Sequence, residues 1–293
     1  MSVVRDRPGG TVRARVHALD GGSEIVRRDD LATEEPLEIR VSWRSGEASA
    51  TRTVAVTMRT PGADFDLAAG FLHGEGVIAG PDDLARIAYC TDADLGAEQR
   101  YNVVTASLRA SLGEPDLGGL ERHFFTSSAC GVCGKASIES LRARRLVAVH
   151  SGLRIDASVL FGLPDALSGA QGLFARTGGL HAAGLFTVDG ELVAAREDVG
   201  RHNAVDKLIG WALLEGRLPL RDLVLMVSGR TSYEIVQKAV AAGVPAVCAV
   251  SAPSSLAVAM AEEFGVTLVG FLRGRRCNIY AGRDRVAAPV AVR

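Results

Sequence analysis

The chain predicts an α/β protein with a smaller α+β unit ahead of the main one, on three observations. Apolar residues alternate with polar ones in the first third. Continuous apolar strands alternate with amphipathic helices in the last third. Between them lies Gly113 to Gly119, rich in Gly, Pro and Asp. That stretch sets the boundary at 115 to 130 and divides the chain into units of 1–120 and 121–293.

In the first unit, Leu37 to Trp43 and Thr51 to Arg59 each alternate across a short polar link, the pattern of a hairpin. Pro61-Gly62 punctuates the chain, and Leu67, Phe71 and Leu72 then fall at helical spacing until Gly74 and Gly76. Tyr101 to Leu108 reads as a further strand. In the second unit, Leu223 to Val227 is an apolar strand, followed by a helix from Thr231 with Glu234 in capping-box register and Gly243 as its stop. Ala246 to Val250 is the next strand, Ser254 to Phe264 the next helix, and Thr267 to Phe271 a third strand. This alternation predicts right-handed crossovers onto a largely parallel sheet buried on both faces. Ligands of such sheets sit beyond the carboxyl ends of the strands, where Ser228-Gly229-Arg230, Ser251-Ala252-Pro253 and Arg273-Gly274-Arg275-Arg276 should converge.

Composition narrows the function classes. With 293 residues, 47% of them hydrophobic, the chain can bury a large core. No apolar run approaches the roughly 18 residues of a spanning helix, and Met1 to Arg13 is too polar for a signal segment, so a cytoplasmic protein is expected. A net charge of −1 argues against nonspecific binding to nucleic acid or membrane, so any anion must be held by a local cluster. The five cysteines, at 90, 130, 133, 248 and 277, do not form a disulfide framework.

The pair Cys130-Gly131-Val132-Cys133 is the strongest chemical signal. Glycines at 131 and 134 leave both sulfurs open to a large partner, and Lys135 and nearby N–H dipoles favour the thiolate, the form that attacks sulfur. Zinc is disfavoured, because the chain has no second C-x-x-C or H-x-x-x-H. A zinc deaminase signature fails as well: His181-Ala182-Ala183 lacks the glutamate and Ala129 stands where proline is needed.

A polar block comes next: Arg176 to His181 and Arg196-Glu197-Asp198-Val199-Gly200-Arg201-His202-Asn203, with Asn203 as N-cap of a helix whose buried face is Val205, Leu208, Ile209 and Leu213. A helix N-terminus beside Arg201 suits an anion; the competing role is an internal salt-bridge network joining Arg196 or Arg201 to Glu197, Asp198 or Asp206. His181 and His202, taken singly, read as hydrogen-bonded structural histidines.

These residues together resemble a known family. Glu35-Pro36-Leu37, Met58-Arg59-Thr60-Pro61-Gly62, Gly70-Phe71-Leu72 with Glu75-Gly76, Cys130 to Gly134, Thr177 to His181, Glu197 to Ala204, Ser228-Gly229-Arg230, Ser251-Ala252-Pro253 and Asn278-Ile279-Tyr280 are similar to the FdhD/NarQ family of formate dehydrogenase accessory sulfurtransferases. The resemblance runs in order from about residue 33 to 281. It implies a cytidine-deaminase-like α/β domain joined to the smaller α+β domain, and a homodimer. It also implies a sulfur relay: a cysteine desulfurase donates sulfur, Cys130 carries it as a persulfide with Cys133 as helper, and the acceptor is the molybdenum bis(molybdopterin guanine dinucleotide) cofactor of formate dehydrogenase. Phe271, Leu272, Arg273, Gly274, Arg275 and Arg276 correspond to the cofactor-binding segment, with Ser228, Gly229, Arg230 and His202 as further contacts; no resident metal is implied. The residues fit such an acceptor, since pyrophosphates and purines call for arginine forks and close-approach glycines, although a basic turn can also simply face water. Cys248, inside an apolar strand, reads as a packing residue. A thiol-disulfide oxidoreductase would use the same C-x-x-C, and a noncatalytic cofactor chaperone would need the arginines without Cys130.

Overall fold

The computed structural model describes residues 9–46, 48–90, 100–117, 120 and 146–287. It is a mixed α/β structure with two principal sheets. The first has four strands in the order β4-β3-β6-β5: β3 is Glu35–Ser45, β4 Ala48–Arg59, β5 Leu84–Tyr89 and β6 Val103–Leu108. The predicted hairpin is β3 and β4, paired antiparallel, while β6 joins β3 in parallel. In β3 the alternation has its physical cause in view, because Leu37, Ile39, Val41 and Trp43 all point into the core and the residues between them do not. Helix α1, Asp64–Gly74, closes that core with Leu67 and Leu72.

The second sheet has six strands in the order β13-β12-β11-β10-β8-β9, made of β8 His181–Phe186, β9 Leu192–Asp198, β10 Val224–Val227, β11 Ala246–Ala249, β12 Thr267–Arg273 and β13 Arg276–Ala281. Helices α4 (Arg201–Leu214), α5 (Tyr233–Ala241) and α6 (Ser255–Glu263) cover one face, and α2 (Ala157–Gly169) covers the other. A short helix α3, Gly172–Thr177, precedes β8, and β7 (Ile155–Asp156) pairs with β14 (Val286–Ala287). The expected strands at 223–227, 246–250 and 267–271 are β10, β11 and β12, and these three are parallel. The sheet as a whole is not largely parallel: β8, β9 and β13 pair antiparallel. The β8–β9 and β12–β13 links are too short for a crossover, so each can only make a hairpin.

Two helix starts differ from expectation. Helix α4 begins at Arg201 with Gly200 as N-cap, and Asn203 is buried inside it. The N-cap of α5 is Ser232, which makes no side-chain cap bond; Thr231 instead bridges to Pro253 and gives its N–H to Ala252 O. Ser254 does cap α6, accepting from Ala257 N. A two-stranded ribbon, β1 (Thr11–Asp20) with β2 (Ser23–Ala32), was not anticipated. Among the described residues, no helix is long and apolar enough to cross a membrane.

The two sheets are tied together through α1 and α4. A Cβ on Gly70 would stand 1.9 Å from Asp206 O, and one on Gly210 would stand 1.8 Å from Asp66 O. Only glycine permits this approach of one helix backbone to the other. Around the crossing, Arg196 pairs with Asp66 at 3.1 Å, and Gln237 donates to Gly74 O at 3.2 Å.

Candidate functional site

The polar block lies where β9 hands the chain to α4, and most of it is consumed internally. Asp198 is fully buried. Its Oδ2 meets Lys207 Nζ at 2.6 Å and accepts from Thr60 N at 3.1 Å; its Oδ1 accepts from Gly200 N at 2.8 Å and Asn203 Nδ2 at 3.0 Å. Lys207 also donates to Thr60 O at 2.7 Å, and Asn203 to Met58 O at 2.8 Å, so this network clamps the 58–60 turn onto α4. Glu197 caps α3, accepting from Leu173 N and Phe174 N. Asp206 meets Lys238 Nζ at 2.6 Å, and burial pushes its carboxyl up to about 6 against that attraction. The 58–60 turn itself is held by Arg59, fully buried, whose fork grips Asp64 at 3.1 and 3.2 Å. None of the expected pairs of Arg196 or Arg201 with Glu197, Asp198 or Asp206 forms among the described residues: the block is internally paired, but Arg196 goes to Asp66, Asp198 to Lys207 and Asp206 to Lys238, and Glu197 accepts backbone N–H groups instead of a cation.

Arg201 is different. Its Nε is buried and makes no hydrogen bond among the described residues, and it stands at the first turn of α4. Gly229, just past the end of β10, lies against it: a Cβ there would be 3.3 Å from His181 Nδ1 and 3.7 Å from Arg201 Cδ. His181 is kept below the usual imidazole range by burial and then by Arg201. His202 Nε2 lies 2.9 Å from Ser232 Oγ and 3.1 Å from Glu234 Oε2. Burial, followed by Arg201, Lys238 and His181, pushes His202 down to about 3, so it is neutral at physiological pH; the Glu234 carboxylate opposes this but is 37% exposed and screened by water.

Ser228 is positioned by both its N–H, to Ala182 O, and its hydroxyl, which accepts from Ala182 N. The strand-end segments do meet: Thr231 with Pro253, and Phe271 N with Ser251 O at 3.1 Å. Arg273 donates to Val250 O and is exposed, as is Arg230. Phe271 has φ of 51° at a bulge in β12, a left-handed backbone unusual for an aromatic residue, and is 43% exposed. Leu272 is core. Arg275 and Arg276 do not join Ser228 and Gly229; they line a separate cavity of about 240 Å³ on the α2 side, with Phe161, Cys277, Ile279 and Arg283. Cys248 is core, its thiol pushed up by burial. Cys130 and Cys133 lie outside the described residues.

Residues 32–287 match the model of the FdhD/NarQ family. Curated relatives named sulfur carrier protein FdhD include one from Streptomyces coelicolor, 53% identical over 284 residues (96% of this chain, 98% of the relative). Another, from Mycobacterium tuberculosis, is 48% identical over 280 residues, covering 94% and 98%. A crystal structure of a putative formate dehydrogenase accessory protein from Desulfotalea psychrophila has the same fold, with TM-score 0.71 and 23% identity over 94% of this chain and 99% of that one. The chain belongs to the FdhD/NarQ family.

Proposed function

We propose that this chain is a sulfurtransferase that loads sulfur onto Cys130 and passes it to the molybdenum bis(molybdopterin guanine dinucleotide) cofactor destined for formate dehydrogenase. The observation that carries the reading is the near end-to-end match, at about half identity, to proteins named sulfur carriers. The Cys130 thiolate attacks the outer sulfur of a persulfide on a cysteine desulfurase; the donor's S–S bond breaks, its thiolate leaves, and Cys130 carries the persulfide. Attack by the Cys133 thiolate on the inner sulfur then releases sulfide to the molybdenum and leaves a Cys130–Cys133 disulfide, which a cellular dithiol must reduce before the next turn. The acceptor is read as bound through its phosphates and guanines by Ser228, Gly229, Arg230, His202 and the 271–276 turn. In the same reading the protein works in the cytoplasm as a homodimer, and its larger unit is a cytidine-deaminase-like α/β domain.

Incubation with a desulfurase and cysteine, followed by mass spectrometry, tests the relay. A gain of one sulfur, lost with reductant and lost in Cys130→Ala, is expected, together with failure of Cys130→Ala to activate formate dehydrogenase. Cys133→Ala should still load sulfur. Full client activity with Cys130→Ala sinks the assignment.

A further inference from the structure

The ribbon of β1 and β2 takes no part in the site described above, yet each of its strands is ten residues long. A two-stranded ribbon is marginal in water by itself, and the outer edge of each strand is a row of N–H and C=O groups that another strand can pair with. At the base, Arg176 reaches Thr11 and Asp30, which share one face. The other face carries Val12, Ile25 and Leu31, exposed by 54%, 54% and 43%. The two edges differ in charge. β1 has Arg13, Arg15 and His17 with no acid before Asp20, so two β1 edges repel each other. β2 runs Ile25-Val26-Arg27-Arg28-Asp29-Asp30-Leu31, two cations and then two acids between apolar ends, and read against itself in the opposite direction it sets cation against acid.

Backbone phase decides whether β2 can meet a second β2. Thr33 N donates to Gly10 O, and in the register that runs from Thr11 opposite Ala32 to Asp20 opposite Ser23 this commits the odd-numbered residues of β2 to β1. The even-numbered ones, Glu24 to Ala32, turn their N–H and C=O groups to the outer edge. Two β2 strands can therefore pair antiparallel about a two-fold axis at Arg28. We propose that the ribbon is the docking edge for a second copy of this chain, β2 pairing with β2 in this register to make one sheet in the order β1-β2-β2-β1. This rests on the homodimer in the reading above and gives it an interface. Arg27 of each copy then stands opposite Asp29 of the other, and Ile25 opposite Leu31, at the closer spacing of about 4.5 Å found in non-hydrogen-bonded pairs. Each Ile25–Leu31 pair lies between Ala18 of one copy and Val12 of the other, so the exposed apolar side chains of the ribbon gather into two rows. One residue opposes the pairing. Arg28 meets its own symmetry mate at the axis, with Arg15 directly beside it, so like charges face each other there.

Sedimentation equilibrium of the full chain tests the interface through the monomer–dimer dissociation constant. Arg27→Asp and Asp29→Arg each put like charges opposite one another at both symmetry-related pairs, and each should weaken the dimer by roughly 10- to 100-fold. The double variant Arg27→Asp, Asp29→Arg restores opposite signs and should return most of that affinity, which a variant that merely damaged the ribbon would not do. Arg28→Thr removes the repulsion at the axis and should tighten the dimer by about 2- to 5-fold. Dissociation constants unchanged in both single variants overturn the proposal and leave the homodimer to another surface, and so does a double variant as weak as the singles. A weaker dimer in Arg28→Thr overturns it as well, because Arg28 would then face an acid and the axis would lie elsewhere. A wild-type chain that stays monomeric at every concentration sinks the homodimer and this interface together, while the gain of sulfur on Cys130, read by mass, still decides the relay separately.

Discussion

Within the eight residues from Arg196 to Asn203, two regions have opposite fates. Asp198 and Asn203 turn inward and spend their hydrogen-bonding capacity on Lys207, Thr60 and Met58, holding one sheet to the other. Arg201 and His202, one turn away, face the loop after β10, where His202 leans on Ser232 and the Arg201 Nε finds no hydrogen bond among the described residues. A dense run of charge is thus not one site. The partners each side chain has inside the fold separate the residues that join the two sheets from those that face the loop after β10.

The sharpest way to break this comparison is at the helix crossing on which the inward half depends. In Gly210→Ala the new Cβ would overlap Asp66 O, a backbone atom that cannot step aside, so α1 and α4 must separate. A loss of about 3–5 kcal/mol or failure to fold is expected in urea denaturation. A near-neutral result would mean that the two sheets do not rely on close helix contact.

Next in size is the buried ion pair. Lys207→Met strands the Asp198 carboxylate in a dry site and should cost about 3–5 kcal/mol, whereas the double variant Lys207→Met, Asp198→Asn should recover part of that, because the uncompensated charge is gone. Additive losses in the double-mutant cycle would show that the pair is not coupled and that the inward row is held by its backbone bonds alone.

How much of this could be read from the chain follows the same division. The alternation in Leu37 to Trp43 was legible because one face of β3 is fully buried and the other is not, and β10 to β12 were legible as short apolar runs buried on both faces. β9 carries no such signal, because Leu192 to Asp198 is half-exposed and ends in charge, so no periodicity dominates. The β1–β2 ribbon did carry a signal, with Val12, Ala14, Val16 and Ala18 alternating ahead of Gly21-Gly22, but it places Val12, Ile25 and Leu31 toward solvent, and an exposed stripe gives no core to argue from. For the site, residue type named the right block and could not sort it. That Asp198 belongs to Lys207, nine residues on, and that Arg201 has no acidic partner among the described residues is decided by which side of α4 faces α1, a tertiary fact. The spread of the 271–276 segment is tertiary too, since the turn at Gly274 sends Arg275 and Arg276 to the α2 side while Arg273 stays at the strand end.

The smallest expected effect tests the outward half through pH. His202 is near 6.5 in the unfolded chain and is pushed down to about 3 in the fold, first by burial and then by its cationic neighbours. Between those two values the unfolded chain binds a proton that the folded chain refuses. The stability tied to a neutral His202 is therefore fully present above about pH 6.5 and is lost as pH falls toward 3, at no more than about 1.4 kcal/mol per pH unit. His202→Gln cannot titrate, and its amide can still reach Ser232 Oγ, so between pH 6 and 4 its stability should fall less than that of the wild type, by a margin on the order of 1 to 3 kcal/mol. Urea midpoints of the two chains at several pH values measure that margin. Parallel curves would mean that His202 charges within the fold, with Glu234 as its counter-ion, and the first turn of α4 would then carry a charged, paired histidine instead of a neutral one.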